Sequence, residues 1–382
     1  MTLPSPAPRG FDGVAAIVAD AIDAGAFPGA VILIARRGEV LYHEAFGSRS
    51  VEPERTPMAR ATVFDLSSLT KPLATATAVM LLAREGKLRP EDRVTRFIPN
   101  FGVHGKFGVS VRHLLAHCSG LPAWRPFYED ITRGSPGRAD LPSSRGAREF
   151  VYERIHRERL EHPPGTHAVY SDLGFLLLGE LIELVTQSPL DRFCHERIFR
   201  PLGLRATGFV DLGRLRREKL APVTDAIAPT ERCPWRQKVL CGEVHDDNAW
   251  AVGGVAGHAG LFSTAADVHV LASWLRACAR NEDPTIPGDL VRRFWTRDGT
   301  VADSTWALGW DTPSATASSA GSRVNPRAVG HLGFTGTSLW IDLERDAHVI
   351  LLTNRVHPER HDDRIRAVRP RVHDAVWEAL DA

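Results

Sequence analysis

At 382 residues, 43% hydrophobic and 24% charged, the chain is long enough for one large domain or two of ordinary size, with ample core. Its 47 lysines and arginines against 46 aspartates and glutamates leave a net charge of +1, so nothing in the balance calls for nucleic acid or an anionic membrane as partner. The five cysteines are widely spaced and odd in number and read as reduced thiols; with no basic leader and no apolar run of about 18 residues, the expectation is a cytoplasmic protein without a membrane partner.

Taken in order, residues 11–25 place Val14, Ile17, Val18 and Ile22 at helical spacing, and a helix opens the fold. Two strand-like runs follow, 30–35 and 40–46, joined across Arg37-Gly38 as in a tight hairpin. The end of the chain mirrors this, with runs at 337–343 and 348–353 joined across Glu344-Arg345-Asp346 and a helix over 364–380. These elements predict an α+β fold of α/β sandwich type: an antiparallel sheet from both chain ends (1–66 plus 226–382), flanked by helices, with a mostly helical lobe (67–225) inserted and a cleft between the two. Two long loops, 125–145 and 311–327, are expected to border a site. The arginine-rich stretch 355–371 is interrupted by Glu359, Asp362 and Asp363 and reads as a solvated helix face.

The stretch Phe64-Asp65-Leu66-Ser67-Ser68-Leu69-Thr70-Lys71 carries the chemistry. Leu69, Leu73, Ala76, Met80 and Ala83 recur at helical spacing, Pro72 sits in the first turn, and Gly86 follows the last. Ser68 and Lys71 therefore share one face at a helix N-terminus, where a lysine half-buried in apolar surroundings would have a lowered pKa and could take the serine proton. Alone the motif is weak: with only five lysines in the chain it arises by chance in about one such sequence in three.

Four further segments strengthen it. Leu114-Leu115-Ala116-His117-Cys118-Ser119-Gly120-Leu121-Pro122 reads as a structural turn, with Trp124, Phe127 and Tyr128 beyond it as pocket or core. Tyr170-Ser171-Asp172 opens a helix over 173–185. In 257–267, Ser263 or Thr264 caps a helix after a strand. The nearby segment 242–248, with Cys233, Cys241 and His258, collects ligand-type side chains, but the spacing fits no zinc pattern and no metal is expected. The fourth is His331-Leu332-Gly333-Phe334-Thr335-Gly336-Thr337, at the start of a C-terminal strand.

Together these segments resemble, over nearly the whole length, the class C β-lactamase-like serine hydrolases, the group that includes D-alanyl-D-alanine carboxypeptidases and family VIII esterases. The resemblance implies a β-lactamase/transpeptidase-like fold with Ser68 as nucleophile and Lys71 and Tyr170 managing protons. It implies an oxyanion hole from the Ser68 and Phe334 amides, with Gly333 letting substrate approach the backbone. It also implies a covalent acyl-enzyme, with no cofactor. Two positions depart from the family pattern. Asp172 stands where asparagine is frequent, which favours protonated Lys71 and shifts base duty toward Tyr170. His331 stands where β-lactamases carry lysine; as a mostly neutral group it would hold a substrate carboxylate weakly, and better as pH falls through roughly 6.5. The expected substrate is a small ester, amide or peptide, with an esterase leading. A D-alanyl-D-alanine-type carboxypeptidase acting on cell-wall peptide fragments, a β-lactamase, and an acylated sensor without turnover are the alternatives. No Gly-x-Ser-x-Gly elbow and no His-Glu-x-x-His motif supports a different hydrolase class. The sequence leaves the oligomeric state open.

Overall fold

The computed structural model describes residues 10–133 and 142–382; the first residues, read above for a leader, and positions 134–141 of the first long loop lie outside the described residues. Helix α1 (Asp12–Asp23) buries Val14, Val18 and Ala21. Strands β1 (Gly29–Arg36) and β2 (Glu39–Ser50) then form a hairpin. Its turn places Arg37 at φ 55° and Gly38 at φ 81°, the left-handed pair whose twist matches the flanking strands. A short strand β3 (Thr56–Pro57) edges the sheet. Helices α2 (Thr77–Arg84), α3 (Asp172–Thr186) and α4 (Ala265–Ala279) follow, then strands β4 (Val329–Leu332), β5 (Thr337–Asp342) and β6 (Ala347–Thr353) and the terminal helix α5 (Ile365–Asp381).

The strand order is β3-β2-β1-β6-β5-β4, antiparallel throughout. Its central pair joins the two ends of the chain, from Ala30 opposite Thr353 to Arg36 opposite Ala347. Successive side chains of β1 therefore serve two cores. Ala30, Ile32 and Ile34 pack with Val14 and Val18 of α1 and Val372 and Trp377 of α5, while Val31, Leu33 and Ala35 join a cluster that runs through α4 into the helices of the middle of the chain. This is the α+β arrangement expected from the two hairpins. Burial on both faces explains why β1 reads as an unbroken apolar run rather than an alternation.

Three details differ from the sequence reading. The helix expected from Ser68 onward is not uniformly α: residues Ser67–Leu69 form a 3-10 turn, Lys71–Ala76 a wider π turn, and α2 begins only at Thr77. Apolar spacing at 69, 73, 76, 80 and 83 fits all three windings, and such wide turns gather at functional sites. His331 does not start the strand 337–342. It lies on the separate edge strand β4, and residues 333–336 turn from β4 into β5. The long loop 125–145 contains a helical segment, Phe127–Arg133.

One close crossing sets the site. A Cβ on Gly257 would lie 2.1 Å from Phe175 O and 3.0 Å from Gly179 N, so the backbone of α3 and the segment before residues 261–263 touch directly. Gly257 O accepts from Thr75 Oγ1 at 2.7 Å, which ties the same point to the helical segment that follows Ser68. Gly257→Ala should therefore push two backbones apart and cost ~1–3 kcal/mol. Urea unfolding at constant slope should show a lower midpoint; a variant unfolding at the wild-type midpoint would mean the crossing is not tightly held.

Candidate active site

Ser67 and Ser68 sit on a turn held from several sides. Ser67 is in the left-handed region at φ 50°, and its N–H donates to the buried Asp65 carboxylate at 2.8 Å, which also accepts the His245 N–H at 2.7 Å. Thr70 Oγ1 donates to Ser67 O at 2.6 Å and accepts the Leu261 N–H at 3.1 Å. From the sheet side, Thr335 Oγ1 donates to Asp65 O at 2.7 Å and Thr337 Oγ1 to Leu66 O at 3.0 Å. Gly333 is needed for this contact: a Cβ there would lie 2.0 Å from Thr337 Oγ1 and 2.6 Å from Leu66 O. To the room for a substrate expected from the sequence, this adds the close approach of the protein's own backbone.

On this turn, Ser68 Oγ accepts from Lys71 Nζ at 3.0 Å and from Tyr170 Oη at 2.7 Å. Lys71 Nζ also lies 2.7 Å from Asp172 Oδ1 and donates to His258 O at 3.2 Å. Tyr170 and Asp172 arrive together because Ser171 caps α3: its Oγ accepts the Gly174 N–H at 3.2 Å and donates to Pro122 O at 2.6 Å. The segment read as a structural turn does more than order the chain. His117, at φ 54°, accepts the Ser171 N–H on Nδ1 at 3.0 Å, and its ring lies 4.6 Å from that of Tyr170.

Electrostatics corrects the sequence reading twice. Lys71 is fully buried, not half-buried, and burial works to lower its pKa; the Asp172 carboxylate and Tyr170 outweigh that, and the net shift is upward. Burial pushes the Tyr170 phenol up, with the Lys71 ammonium opposing and Asp172 reinforcing the rise. The resting pair is therefore an ammonium beside a neutral phenol, as the Asp172 departure suggested. His331 does not titrate near 6.5. Burial, with Lys71 nearby, pushes its pKa down to about 3, and the ring stays neutral throughout the physiological range. Its Nδ1 is 2.8 Å from Leu332 O and so carries the proton, while the buried Nε2 has no partner among the described residues.

Two cavities flank Ser68. The larger, about 610 Å³, is lined by Ser68, Tyr170, Trp306, His331, Gly333 and Phe334 together with Arg355, Arg366 and Arg369. Asp311, at the start of the second long loop, also borders it. A smaller one of about 290 Å³ lies on the other side, between Trp124 and the acidic residues Asp172, Asp246 and Asp247. All seven residues singled out from the sequence, Ser68, Lys71, Tyr170, Asp172, His331, Gly333 and Phe334, lie around Ser68 or on the wall of the larger cavity beside it. The Phe334 N–H points toward the nucleophile turn and donates to Ser67 Oγ at 3.2 Å.

Sequence reasoning missed several neighbours. Trp306 stacks on Tyr170 at 5.3 Å and comes from a stretch with no recognisable motif. Arg355 and Arg369, 9% and 6% exposed, were assigned to a solvated face and are instead buried beside the cavity. For Arg369 the signal was present in the spacing of α5, where it stands among the buried Ile365, Val368 and Val372. His258 was weighed as a zinc ligand with Cys233, Cys241 and the 242–248 segment. Among the described residues, the side chains that gather are Asp172, Asp246 and His258, with ligand atoms within 4.8 Å of one another. His258 Nε2 lies 2.9 Å from Asp246 Oδ1, and the Lys71 ammonium sits against Asp172.

Comparison with known proteins places the whole chain. The beta-lactamase family profile matches residues 14–372. A putative D-alanyl-D-alanine carboxypeptidase of Escherichia coli strain K12 is 32% identical over 361 residues, covering 89% of this chain and 81% of that protein. The N-acetylmuramyl-L-alanine amidase of Bacillus subtilis strain 168 is 32% identical over 354 residues, 87% of this chain and 78% of that protein. Among solved structures, EstCE1, a hydrolase with promiscuous acyltransferase activity, superposes with a TM-score of 0.73 at 24% identity, covering 98% of this chain and 100% of its own. The octameric penicillin-binding protein homologue from Pyrococcus abyssi gives 0.67 at 21% identity, over 90% and 73% of the two chains. A family match over nearly the whole length, with a relative 32% identical across 89% of the chain, makes this chain a member of the beta-lactamase family of serine hydrolases.

Proposed function

We propose that the protein hydrolyses its substrate through an acyl-enzyme on Ser68, and that the substrate carries an anionic group on its leaving-group side. The observation that carries the chemistry is the convergence of Lys71 Nζ and Tyr170 Oη on Ser68 Oγ at 3.0 and 2.7 Å, beside an open cavity. In this reading the Ser68 proton passes to the Lys71–Tyr170 pair as the hydroxyl adds to the carbonyl, and the same pair returns it to the leaving group. The Ser68 and Phe334 amides hold the oxyanion. Water then hydrolyses the ester, using the pair again as base. Ser68→Ala should abolish turnover and prevent mass gain with a fluorophosphonate, with thermal stability unchanged. Retention of more than a few per cent of the rate would remove Ser68 from the role.

The pair accepts a proton only when it is one proton short of its resting state. Both groups have raised pKa values, so this form grows as pH rises, and kcat/KM on a neutral p-nitrophenyl ester should climb through the neutral and into the alkaline range. Asp172→Asn removes the carboxylate that holds the Lys71 ammonium in place. The pair then loses its proton more easily, and the rising limb should move to lower pH. A limb at the wild-type position would show that Asp172 does not set the proton inventory.

The substrate class follows from the larger cavity. Neutral His331 supplies no positive charge there, but Arg366 does: its side chain is 81% exposed, and its ion partner Asp363 is 3.9 Å away. Buried Arg369 adds a second positive charge to the wall. An anion such as a peptide carboxylate fits this side, which favours the peptidase alternative and accords with the name of the Escherichia coli relative. The neutral-ester reading keeps one observation in its favour, the aromatic and apolar wall of Trp306, Leu332 and Phe334. Arg366→Ala distinguishes them. It should raise KM for a D-alanyl-D-alanine peptide about fivefold, the worth of ~1 kcal/mol, and leave KM for a neutral ester within about twofold. Equal KM changes for both substrates would favour the ester reading.

A further inference from the structure

The peptide unit joining Gly333 to Phe334 is held at both ends. Its N–H end faces the nucleophile turn and donates to Ser67 Oγ at 3.2 Å. At the other end, Gly333 O accepts from Arg369 Nη2 at 3.0 Å, and the same nitrogen donates to Thr337 O at 2.9 Å. Arg369 is 6% exposed, and among the described residues its Nε has no hydrogen-bond partner. No carboxylate lies within ion-pair distance of its guanidinium among the described residues, so two carbonyl dipoles are the nearest counter-charge it has. Burial pushes its pKa down to about 9, which still leaves it charged at neutral pH. Arg355 reinforces the arrangement from outside the turn: its Nε donates to Phe334 O at 2.7 Å and its guanidinium lies 4.5 Å from the Phe334 ring.

A cation bonded to an amide oxygen draws electron density toward that oxygen. The N–H of the same unit becomes a stronger donor, because hydrogen bonds in a chain polarise one another and do so most where the dielectric is low. The cation also fixes the plane of the unit, and thereby the direction of the N–H. Ser67 Oγ occupies that N–H in the free site, at the place a substrate oxygen would take.

We propose that Arg369 is a positioning residue for acyl transfer, acting through the Gly333 carbonyl to polarise and aim the Phe334 N–H at the oxyanion. This rests on the reading of Ser68 as nucleophile and the Phe334 amide as oxyanion donor. A purely structural role, tying α5 to the 333–337 turn, would affect folding but not the strength of the oxyanion site in molecules that fold.

Phenylboronic acid separates the two, because it forms a tetrahedral adduct with an active serine and places an oxygen in the oxyanion site. With active sites counted by fluorophosphonate titration, Arg369→Met should raise the boronate Ki and lower kcat per site by ~10-fold each, with KM for a p-nitrophenyl ester within about twofold. Arg369→Gln keeps a donor and drops the charge, and its losses should fall between wild type and Arg369→Met. If Arg369→Met does not fold, Arg369→Gln carries the same comparison. A wild-type Ki per titrated site in the folded variant, with loss only in titratable fraction or Tm, overturns the proposal. If the wild-type protein itself is neither labelled at Ser68 nor inhibited by the boronate, the acyl-enzyme reading has failed and the proposal falls with it; that failure is seen in the wild type and not in the variant.

Discussion

A lysine ammonium with no access to water must be coordinated from all sides, and in this fold that requirement falls on Lys71. An unpaired buried charge costs several kcal/mol, so each of its partners is fixed with it. Those partners come from separate parts of the chain: Ser68 from the preceding turn, Asp172 from the start of α3, and His258 O from the segment that crosses α3 at Gly257. The Tyr170 ring closes another side, with its centroid 4.7 Å from Nζ. The helix caps and glycine crossings nearby serve this coordination. Ser171 caps α3 so that residues 170 and 172 flank the ammonium, and Gly257 lets the 258 carbonyl come within reach. The cluster around Ser68 and a large part of the packing of the helices are thus one solution to one electrostatic problem.

The other half of the site is built on carbonyls. Arg355 and Arg369 each bind backbone oxygens of the 333–337 turn, and Thr335 and Thr337 carry that turn onto Asp65 and Leu66. The nucleophile turn therefore leans on the sheet through short side chains and on α5 through long ones. Among the described residues neither arginine has a carboxylate within ion-pair distance; both satisfy peptide oxygens of the 333–337 turn, and a guanidinium fork does so without adding a negative charge near Asp65 and Asp172.

Much of this was legible in the sequence. The hairpins could be read because Arg37-Gly38 is a turn pair between apolar runs and because 337–343 and 348–353 repeat the pattern. Ser68 and Lys71 declared themselves by spacing, and Tyr170 with Asp172 by position before a helix, once several segments were taken together. The illegible parts depend on contacts made across the fold. Trp306 sits in a stretch without local periodicity, so nothing before folding marks it as a neighbour of Tyr170. Arg355 and Arg369 were misread because acids interleave with arginines from 355 to 371, a pattern that belongs to exposed helices; two of those arginines turn inward, where the charges between them cannot follow. The pKa errors have the same origin. Whether Lys71 gains or loses basicity depends on how close Asp172 comes, and whether His331 titrates depends on how deeply β4 is buried.

The pairing of β1 with β6 has a kinetic side. Gly29 N–H donates to Asn354 Oδ1 across 325 residues of chain, and the strands on either side of that bond form the middle of the sheet. A ribosome releases the N-terminal hairpin long before its partner strand exists. Contacts of such sequence separation close slowly, since loop entropy is lost before they repay it. The helices between can condense early, but the turn that carries Ser68 lacks its supports at 333, 335 and 337 until almost the whole chain has emerged. An incomplete chain can therefore hold the serine and the lysine in register on one helix and still lack the surface that makes them an active centre, so competence for chemistry coincides with completion of the sheet.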